Sequence, residues 1–214
     1  MIISSKRNLE DYIKLHVKNN VYEAFKKVDR KLFVPNEWEN NAYSDTSISL
    51  DSHSSISQPS LVAEMIDLLS LTGDEKVLEI GTGSGYSAAI LSLCSREVNT
   101  IEIDPDLARS AKKRLESLKL NNVSVHVGDG SIGLLSGAPY DCIVVTAAVK
   151  EIPKALINQL KERGRIVIPI QMEESDLQEL VLGIKEKDRL VTKPITIVKF
   201  VPLVGRINPA PIPR

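Results

Sequence analysis

The residues most able to do chemistry in this chain are three glycines at alternate positions beside an acidic side chain. Gly81, Gly83 and Gly85 follow a short apolar run that contains Glu79, and the residues after them have the composition of a helix. A strand, a tight glycine turn and a helix N-terminus together form a place where backbone N–H groups bind nucleotide-like ligands. A dinucleotide fingerprint needs a further glycine at position 86, where this chain has Tyr86, so the pattern disfavours a nicotinamide dehydrogenase.

Two more acidic residues follow the next predicted strands. Glu102 lies seventeen residues after Gly85, close to the spacing of a carboxylate that accepts both ribose hydroxyls. Asp129 lies between Gly128 and Gly130, where a carboxylate can accept from an adenine amino group. Taken singly, the glycines could form a turn without a ligand, Glu102 could be a helix N-terminal charge and Asp129 an Asx-turn residue. Together they favour a nucleoside pocket, and the E-x-G-x-G-x-G form is typical of S-adenosylmethionine (AdoMet) sites. We therefore predict that Glu79, the three turn glycines, Glu102, Asp129 and Gly130 bind AdoMet.

An alternation of strands and helices is predicted to position these residues. Strands are predicted at 76–80, 97–102, 123–127, 141–146 and 164–170. Helices fit at 85–94, 105–119 and 152–161, and a strand–turn–strand pattern covers 178–185 and 192–200. This order predicts an α/β, Rossmann-like fold with a mixed, doubly wound sheet of about seven strands and helices on both faces.

The remaining segments predict a single domain with three parts. Helical spacing covers residues 8–29, an irregular loop is predicted for 35–57, and a helix begins at Pro59 and ends near Gly73. We assign 1–58 to an N-terminal helical and lid region, 59–204 to the cofactor-binding core and 205–214 to a proline-rich tail. The prolines exclude a regular helix in the tail.

Composition restricts the partners and the location. The 214-residue chain is 43% hydrophobic with a formal net charge of −1, which argues against nucleic-acid binding. Neither a membrane span nor a signal peptide is expected, so the protein is predicted to be soluble and cytoplasmic. Two cysteines are expected to be buried, reduced thiols, and three histidines without ligand spacing predict no metal site. The sequence leaves the oligomeric state open.

Several longer motifs resemble the protein L-isoaspartate (D-aspartate) O-methyltransferase family. They run through most of the chain in the family's order: 28–35 (VDRKLFVP), 42–45 (AYSD), 55–59 (SISQP), 77–87, 128–130 (GDG), 138–141 (APYD), 145–148 (VTAA), 152–153 (IP), 160, 164–170 (GRIVIPI) and 200–203 (FVPL). The resemblance implies AdoMet-dependent methylation of the free α-carboxylate of isoaspartyl and D-aspartyl residues in damaged proteins, with S-adenosylhomocysteine (AdoHcy) as product. The ester would then cyclise to a succinimide that reopens partly to aspartate.

The resemblance also implies roles at the acceptor side. Ser57, in the I-S-Q-P motif, would be the catalytic residue, although the same position before Pro59 also suits a helix N-cap. The implied substrate-binding residues are Ser55, Ile56, Ala147, Ala148, Val201 and Leu203. The last four would flank a peptide channel and hold an extended substrate by backbone hydrogen bonds.

Two departures from the family pattern fall on the substrate side. Residues 49–55 lack the glycines and glutamine usual in the family, and Ser60 stands where a histidine or an aromatic residue is common. His53 would be either a substrate contact or, more simply, a solvated loop histidine. Two alternatives therefore stay open, namely a related methyltransferase with a different acceptor and a non-catalytic AdoMet-binding protein.

Overall fold

A seven-stranded mixed sheet organises the protein, whose computed structural model describes residues 5–51 and 54–205. The helices, in chain order, are α1 (Lys6–His16), α2 (Asn19–Lys27), α3 (Pro59–Leu68), α4 (Tyr86–Cys94), α5 (Pro105–Ser117) and α6 (Lys154–Gln159). The strands are β1 (Ile48–Ser49), β2 (Ser55–Ile56), β3 (Lys76–Ile80), β4 (Glu97–Glu102), β5 (Val123–Val127), β6 (Tyr140–Val145), β7 (Leu160–Gln171), β8 (Gln178–Glu186) and β9 (Arg189–Val198).

The strand order places a reversal point in the middle of the sheet. The order is β5-β4-β3-β6-β7-β8-β9, with β3 to β7 parallel to one another and β8 antiparallel to both β7 and β9. From β3 the chain proceeds outward through β4 and β5, and then returns to the other side of β3 with β6. A crevice forms outside the carboxyl ends of strands at such a reversal, and ligands bind there in open α/β sheets.

Burial on both faces explains the apolar runs of the central strands. Along β3, Val77 belongs to one hydrophobic cluster and Leu78 to the other, because successive side chains point to opposite faces. The first cluster includes side chains of α1 to α4, and the second contains Leu156 of α6. The predicted mixed sheet with helices on both faces is therefore confirmed.

The N-terminal third differs in detail from the prediction. The helical spacing over 8–29 belongs to two helices, which separate at Lys18, whose N–H donates to Asp67 Oδ1 of α3 at 2.8 Å. The predicted loop over 35–57 contains a 3₁₀ turn (Asn36–Asn41) and the short β1–β2 hairpin, and another 3₁₀ turn (Arg30–Phe33) precedes it. Helix α3 ends at Leu68, several residues before the position predicted from the sequence.

Three smaller features bear on function. Cys94 and Cys142 are buried and unbonded to each other, and burial raises the pKa of Cys94 to about 11 and of Cys142 to about 12. No helix within the described ranges has the length and apolar character needed to cross a bilayer. Within the same ranges, no cluster of three or more His, Cys, Asp or Glu side chains suits a metal ion. His53 and tail residues 206–214 lie outside the described residues.

Candidate functional site

A cavity of about 1380 Å³ opens at the carboxyl ends of the strands next to the reversal point. Its walls come from the glycine turn, the residues that follow β4, the end of β2 and two segments at 146–150 and 201–204. Single small-molecule sites usually measure about 300–1,000 Å³. The cavity is therefore large enough for a nucleoside-sized ligand and part of a second molecule.

The glycine turn depends on backbone angles that favour glycine and, at Gly81, on a contact that leaves no room for a side chain. Gly81, Gly83 and Gly85 all have positive φ, at 94°, 51° and 87°. Thr146 Oγ1 donates to the carbonyl of Gly81 at 2.8 Å, and a Cβ added to Gly81 would overlap Thr146 Oγ1. A Cβ on Gly85 would press against Leu115 and Ala111 of α5. The turn can thus bring its backbone up to a ligand, with Gly81 and Gly83 on the cavity wall and Gly85 behind it.

Glu102 presents a carboxylate held by backbone donors on the same wall. Gly83 N donates to its Oε2 at 2.8 Å, and Ile103 N donates to its Oε1 at 2.9 Å. The side chain is only 8% exposed and lines the cavity. The N-cap of α5 is Asp104, which accepts from the backbone N–H groups of its first turn. The geometry thus favours a ligand-facing carboxylate over the alternative of a helix N-terminal charge.

Glu79 lies beneath the glycine turn instead of in the cavity wall. It is fully buried, and Thr100 Oγ1 donates to its Oε2 at 2.6 Å. Burial raises its pKa to about 7, against the lowering effects of hydrogen bonds from Thr100 and Ser87, and the charge of Glu102 raises it further. Glu79 does not line the cavity, so its predicted role in cofactor binding stays a prediction.

Asp129 and Gly130 also differ in whether they line the cavity. Asp129 Oδ1 accepts from the backbone N of Ser131 at 2.9 Å and from its hydroxyl at 2.6 Å, so it has the Asx-turn geometry that was the alternative interpretation. Of these two residues, Gly130 is the one that lines the cavity, and a Cβ added to Gly130 would overlap the side chain of Ile80. The glycine provides the close approach, and the aspartate shapes the turn.

Ser57 lies between β2 and α3. It lines the cavity together with its neighbours Ser55 and Ile56. The N-cap of α3 is Gln58, which makes no side-chain capping bond, so the alternative role of Ser57 as a helix cap does not occur. Its carbonyl accepts a hydrogen bond of 3.1 Å from Arg30, a residue that the sequence motifs contained but did not single out.

The four other residues predicted at the substrate side also line the cavity: Ala147, Ala148, Val201 and Leu203. Two of their backbone pairs bond each other, since Ala148 N donates to Val201 O at 2.8 Å and Leu203 N donates to Ala148 O at 2.7 Å. The N–H groups of Ala148 and Leu203 are therefore already used, so they cannot donate to a bound peptide, whereas the two carbonyl oxygens can each accept a second hydrogen bond. The side chains form a small, apolar wall beside Ser57.

The sheet, its reversal point and the glycine-lined cavity define a Rossmann-like protein of the methyltransferase class. The family model described as Protein-L-isoaspartate(D-aspartate) O-methyltransferase (PCMT) matches residues 5–208. The chain belongs to this family, so the resemblance read from the motifs is confirmed.

Individual relatives also support membership of this family. A protein-L-isoaspartate O-methyltransferase of Ignicoccus hospitalis is 48% identical over 203 residues, covering 92% of this chain and 94% of the relative. A second, from Archaeoglobus fulgidus, is 46% identical over 195 residues, covering 89% and 88%. A solved protein-L-isoaspartate O-methyltransferase superposes with a TM-score of 0.86 at 30% identity, covering 95% of this chain and 67% of that chain. A Plasmodium falciparum protein solved with S-adenosyl-L-homocysteine shares the fold, at a TM-score of 0.78 and 22% identity over 94% of this chain and 98% of that chain.

Proposed function

We propose that this protein transfers a methyl group from AdoMet to the free α-carboxylate of L-isoaspartyl and D-aspartyl residues in damaged proteins. The resulting ester cyclises to a succinimide, which begins the repair. The observation that carries the proposal is one cavity whose lining includes the glycine turn, Glu102 and Ser57. Family membership supports the same reaction.

In the part of the cavity proposed to bind AdoMet, the ligand is held by the glycine turn and by residues at the strand ends. Glu102 accepts the two ribose hydroxyls, while Gly81, Gly83 and Gly130 let the backbone approach the ligand. Gly85, Glu79 and Asp129 act indirectly, through the packing and the hydrogen bonds of the two turns. When bound, AdoMet supplies a sulfonium methyl group that is electrophilic without further activation.

The acceptor end is proposed to align a carboxylate. A side-chain or α-carboxyl group has a pKa near 4, so it is ionised at neutral pH and needs no general base. The Ser57 hydroxyl donates to one carboxylate oxygen and thereby aims a lone pair of the other towards the methyl group. Ser55 and Ile56 extend this wall, and the apolar segment at 147–148 and 201–203 excludes water, so catalysis rests on alignment.

The N-terminal region, 1–58, is proposed to cover the core formed by 59–204. Leu50 and the carbonyl of Ser55 lie over Gly83, close enough that a Cβ on that glycine would meet them at 3.7 and 3.9 Å. This contact places the start and the end of the 49–55 loop above the cofactor turn. The partners are damaged proteins rather than nucleic acid or membrane, and the proposed location is the cytoplasm.

A paired-peptide assay tests the function. Radiolabelled AdoMet is incubated with two peptides of one sequence, one with isoaspartate and one with aspartate. We expect a base-labile label on the isoaspartyl peptide alone. A protein that binds AdoHcy but labels neither peptide, or labels both equally, would contradict the proposal.

The role of Ser57 is tested separately. Ser57→Ala should lower kcat for the isoaspartyl peptide by about 10²-fold, the usual effect of losing one well-placed hydrogen-bond donor. The Kd for AdoHcy, measured by calorimetry, should stay within about twofold, because the hydroxyl faces the acceptor. Ser117→Ala, at the exposed end of α5, is the matched control and should leave both values unchanged. An unchanged kcat in Ser57→Ala would remove Ser57 from the mechanism.

A further inference from the structure

A buried guanidinium gathers four backbone carbonyls next to the catalytic wall. Arg30 is 1% exposed. Its Nη1 donates to the carbonyls of Ala42 and Ser44 at 2.9 and 3.1 Å, and its Nη2 donates to those of Thr46 and Ser57 at 3.0 and 3.1 Å. All four terminal N–H groups are therefore used, and one of them fixes the backbone of the residue proposed to orient the acceptor.

The charge of Arg30 is balanced without an ion pair in the described part of the chain. Its guanidinium carbon lies 5.9 Å from the ring centroid of Tyr86, the first residue of α4 after the glycine turn. Burial lowers the pKa of Arg30, while Tyr86 and Asp45 act in the opposite direction. The guanidinium therefore contacts both the carbonyl of Ser57 at the acceptor wall and the ring of Tyr86 at the start of α4.

Asp45 holds the same wall from the other side. Its Oδ1 accepts from the backbone N of Ser60 at 2.9 Å, and its Oδ2 accepts from the Ser60 hydroxyl at 2.8 Å and from Gln58 Nε2 at 2.9 Å. Segment 57–60 is thus tied at its first residue by Arg30 and at its last by Asp45. Ser60, the departure from the usual family residue, is one of these ties.

We propose that Arg30 is a positioning residue for the transfer, acting through the carbonyl of Ser57. This inference rests on the proposed function. A purely structural arginine would need only burial and charge balance, whereas this one connects Ser57 to the loop at 42–46 and to the helix that follows the cofactor turn. Lysine keeps the charge but has three donors in a different geometry, so it cannot reproduce four planar bonds. Displacements of about 1 Å at a reacting group can cost on the order of 10²-fold in rate.

A double-mutant cycle tests the inference. Arg30→Lys, Ser57→Ala and the double variant are assayed for kcat and KM with the isoaspartyl peptide, and for the Kd of AdoHcy by calorimetry. In the wild-type background, Arg30→Lys should lower kcat by about 10- to 100-fold and change the Kd of AdoHcy by less than about threefold. In the Ser57→Ala background, the same change should lower kcat by less than about twofold, because the hydroxyl that Arg30 positions is gone.

The control is Arg165→Lys. Arg165 is also partly buried, donates to the carbonyl of Ser70 and pairs with Glu75, but it lies at the opposite end of the sheet. It should leave kcat unchanged. An unchanged kcat in Arg30→Lys, or the same factor in both backgrounds, would overturn the inference.

A second variant covers the case in which Arg30→Lys does not fold, as judged by thermal unfolding. Asp45→Asn weakens the other tie and should lower kcat at least about fivefold in the wild-type background but not in Ser57→Ala. Its control is Asp67→Asn, a partly buried aspartate of α3 that contacts Lys18. An equal factor in both backgrounds would again overturn the inference. A wild-type protein that labels no isoaspartyl peptide would instead overturn the proposed function, and the inference with it.

Discussion

Single residues of one chemical type have different tasks at this site, and their surroundings decide which. Glu79 and Glu102 end neighbouring strands, yet Glu102 accepts backbone N–H groups at the cavity wall while Glu79 is enclosed beneath the turn. Donors from charged or backbone groups stabilise a carboxylate, and burial disfavours it. The two glutamates therefore differ in their surroundings: Glu102 lines the cavity, whereas burial is the main cause that raises the pKa of Glu79 to about 7.

Replacing Glu102 should affect the cofactor before it affects turnover. Glu102→Gln removes the charge that accepts the ribose hydroxyls, so the Kd for AdoHcy should rise by about 10- to 100-fold, in line with the loss of a charge-assisted hydrogen bond. Isothermal calorimetry measures the change. Glu116→Gln, an exposed residue of α5, serves as the control. Equal affinities in Glu102→Gln and the control would contradict the ribose assignment.

Glu79 should make the stability of the protein depend on pH. Its pKa is about 7 in the folded state against an ordinary 4.5, so the folded state keeps the proton where the unfolded state has lost it. Stability should therefore fall as pH rises from 4.5 to 7, by about 3 kcal/mol if the whole difference is expressed. Glu79→Gln removes this pH-dependent contribution to the free energy of unfolding.

The measurement is the free energy of unfolding in urea for Glu79→Gln and the wild type. The difference between the two should be small near pH 4 and should grow in favour of the variant up to about pH 8. A difference that stays constant over this range would show that Glu79 remains ionised in the folded protein.

The site residues could be predicted in part from the sequence. Gly81 and Glu102 follow from motif type and position at strand ends, because parallel strands end at one edge of a sheet, whereas Ser57 follows from the family motif alone. Whether the Glu79 side chain lines the cavity or is buried could not be predicted, since the sequence of a single strand does not reveal which residues of other segments cover it. Arg30 was missed because its four acceptors are 12 to 27 residues away in the chain, a distance at which no local pattern signals contact.

At the scale of secondary-structure elements, the turn between β3 and α4 links two strands and two helices. Gly81 N donates to the carbonyl of Ile101 at 2.9 Å, and Thr146 at the end of β6 binds the turn from the other side. Gly85 begins α4 in a left-handed conformation and packs on α5. The turn therefore depends on the sheet around it as much as on its own glycines.

The turn is predicted to be sensitive to a single methyl group. Gly81→Ala combines a positive φ with overlap onto Thr146 and should destabilise the protein by about 2–4 kcal/mol, with loss of AdoHcy affinity. The control is Gly73→Ala, which has a positive φ of 110° and open space around the added Cβ. It should cost only about 1–2 kcal/mol and leave the affinity intact.

Urea unfolding and calorimetry on both variants provide the measurement. If the two alanine variants lost the same stability, the contact with Thr146 would contribute nothing. The larger loss of stability that we expect for Gly81→Ala is due to the overlap with Thr146, because the penalty for a positive φ is common to both variants.

Most elements of the core were predicted within a few residues, and the N-terminal part was predicted less well. Strands such as β3 and β6 are buried on both faces and give mostly apolar runs that local pattern detects. The β1–β2 hairpin and the 3₁₀ turns depend instead on contacts between distant segments, for example Ile48 paired with Ile56. Their polar, irregular sequence contains no period, so only the assembled core defines their shape.

At the scale of the whole molecule, the N-terminal helices are part of the main core. Side chains of α1 and α2 share one hydrophobic cluster with α3, α4 and the central strands. The cavity lies between this helical layer and the sheet edge, so a ligand there contacts both. Binding should therefore stabilise the folded protein as a unit.

Cofactor product should raise the thermal unfolding midpoint. At an AdoHcy concentration of 100 times its Kd, binding to the folded state adds about 2.7 kcal/mol, and a protein of this size shifts by about 2–4 °C per kcal/mol. A rise of about 5–10 °C is expected in a thermal shift assay. NAD at the same concentration is the control, since Tyr86 interrupts the dinucleotide fingerprint. A midpoint unaffected by AdoHcy, or raised equally by NAD, would contradict the cofactor assignment.

The two thiols of the chain have a consequence for redox chemistry. With pKa values of about 11 and 12, Cys94 and Cys142 have less than about one part in a thousand as thiolate at pH 7, and both are buried. Thiolate is the form that oxidants and alkylating agents attack. Neither cysteine lines the cavity, so the proposed methyl transfer uses no thiol, and in the folded protein both thiols should resist mild oxidation.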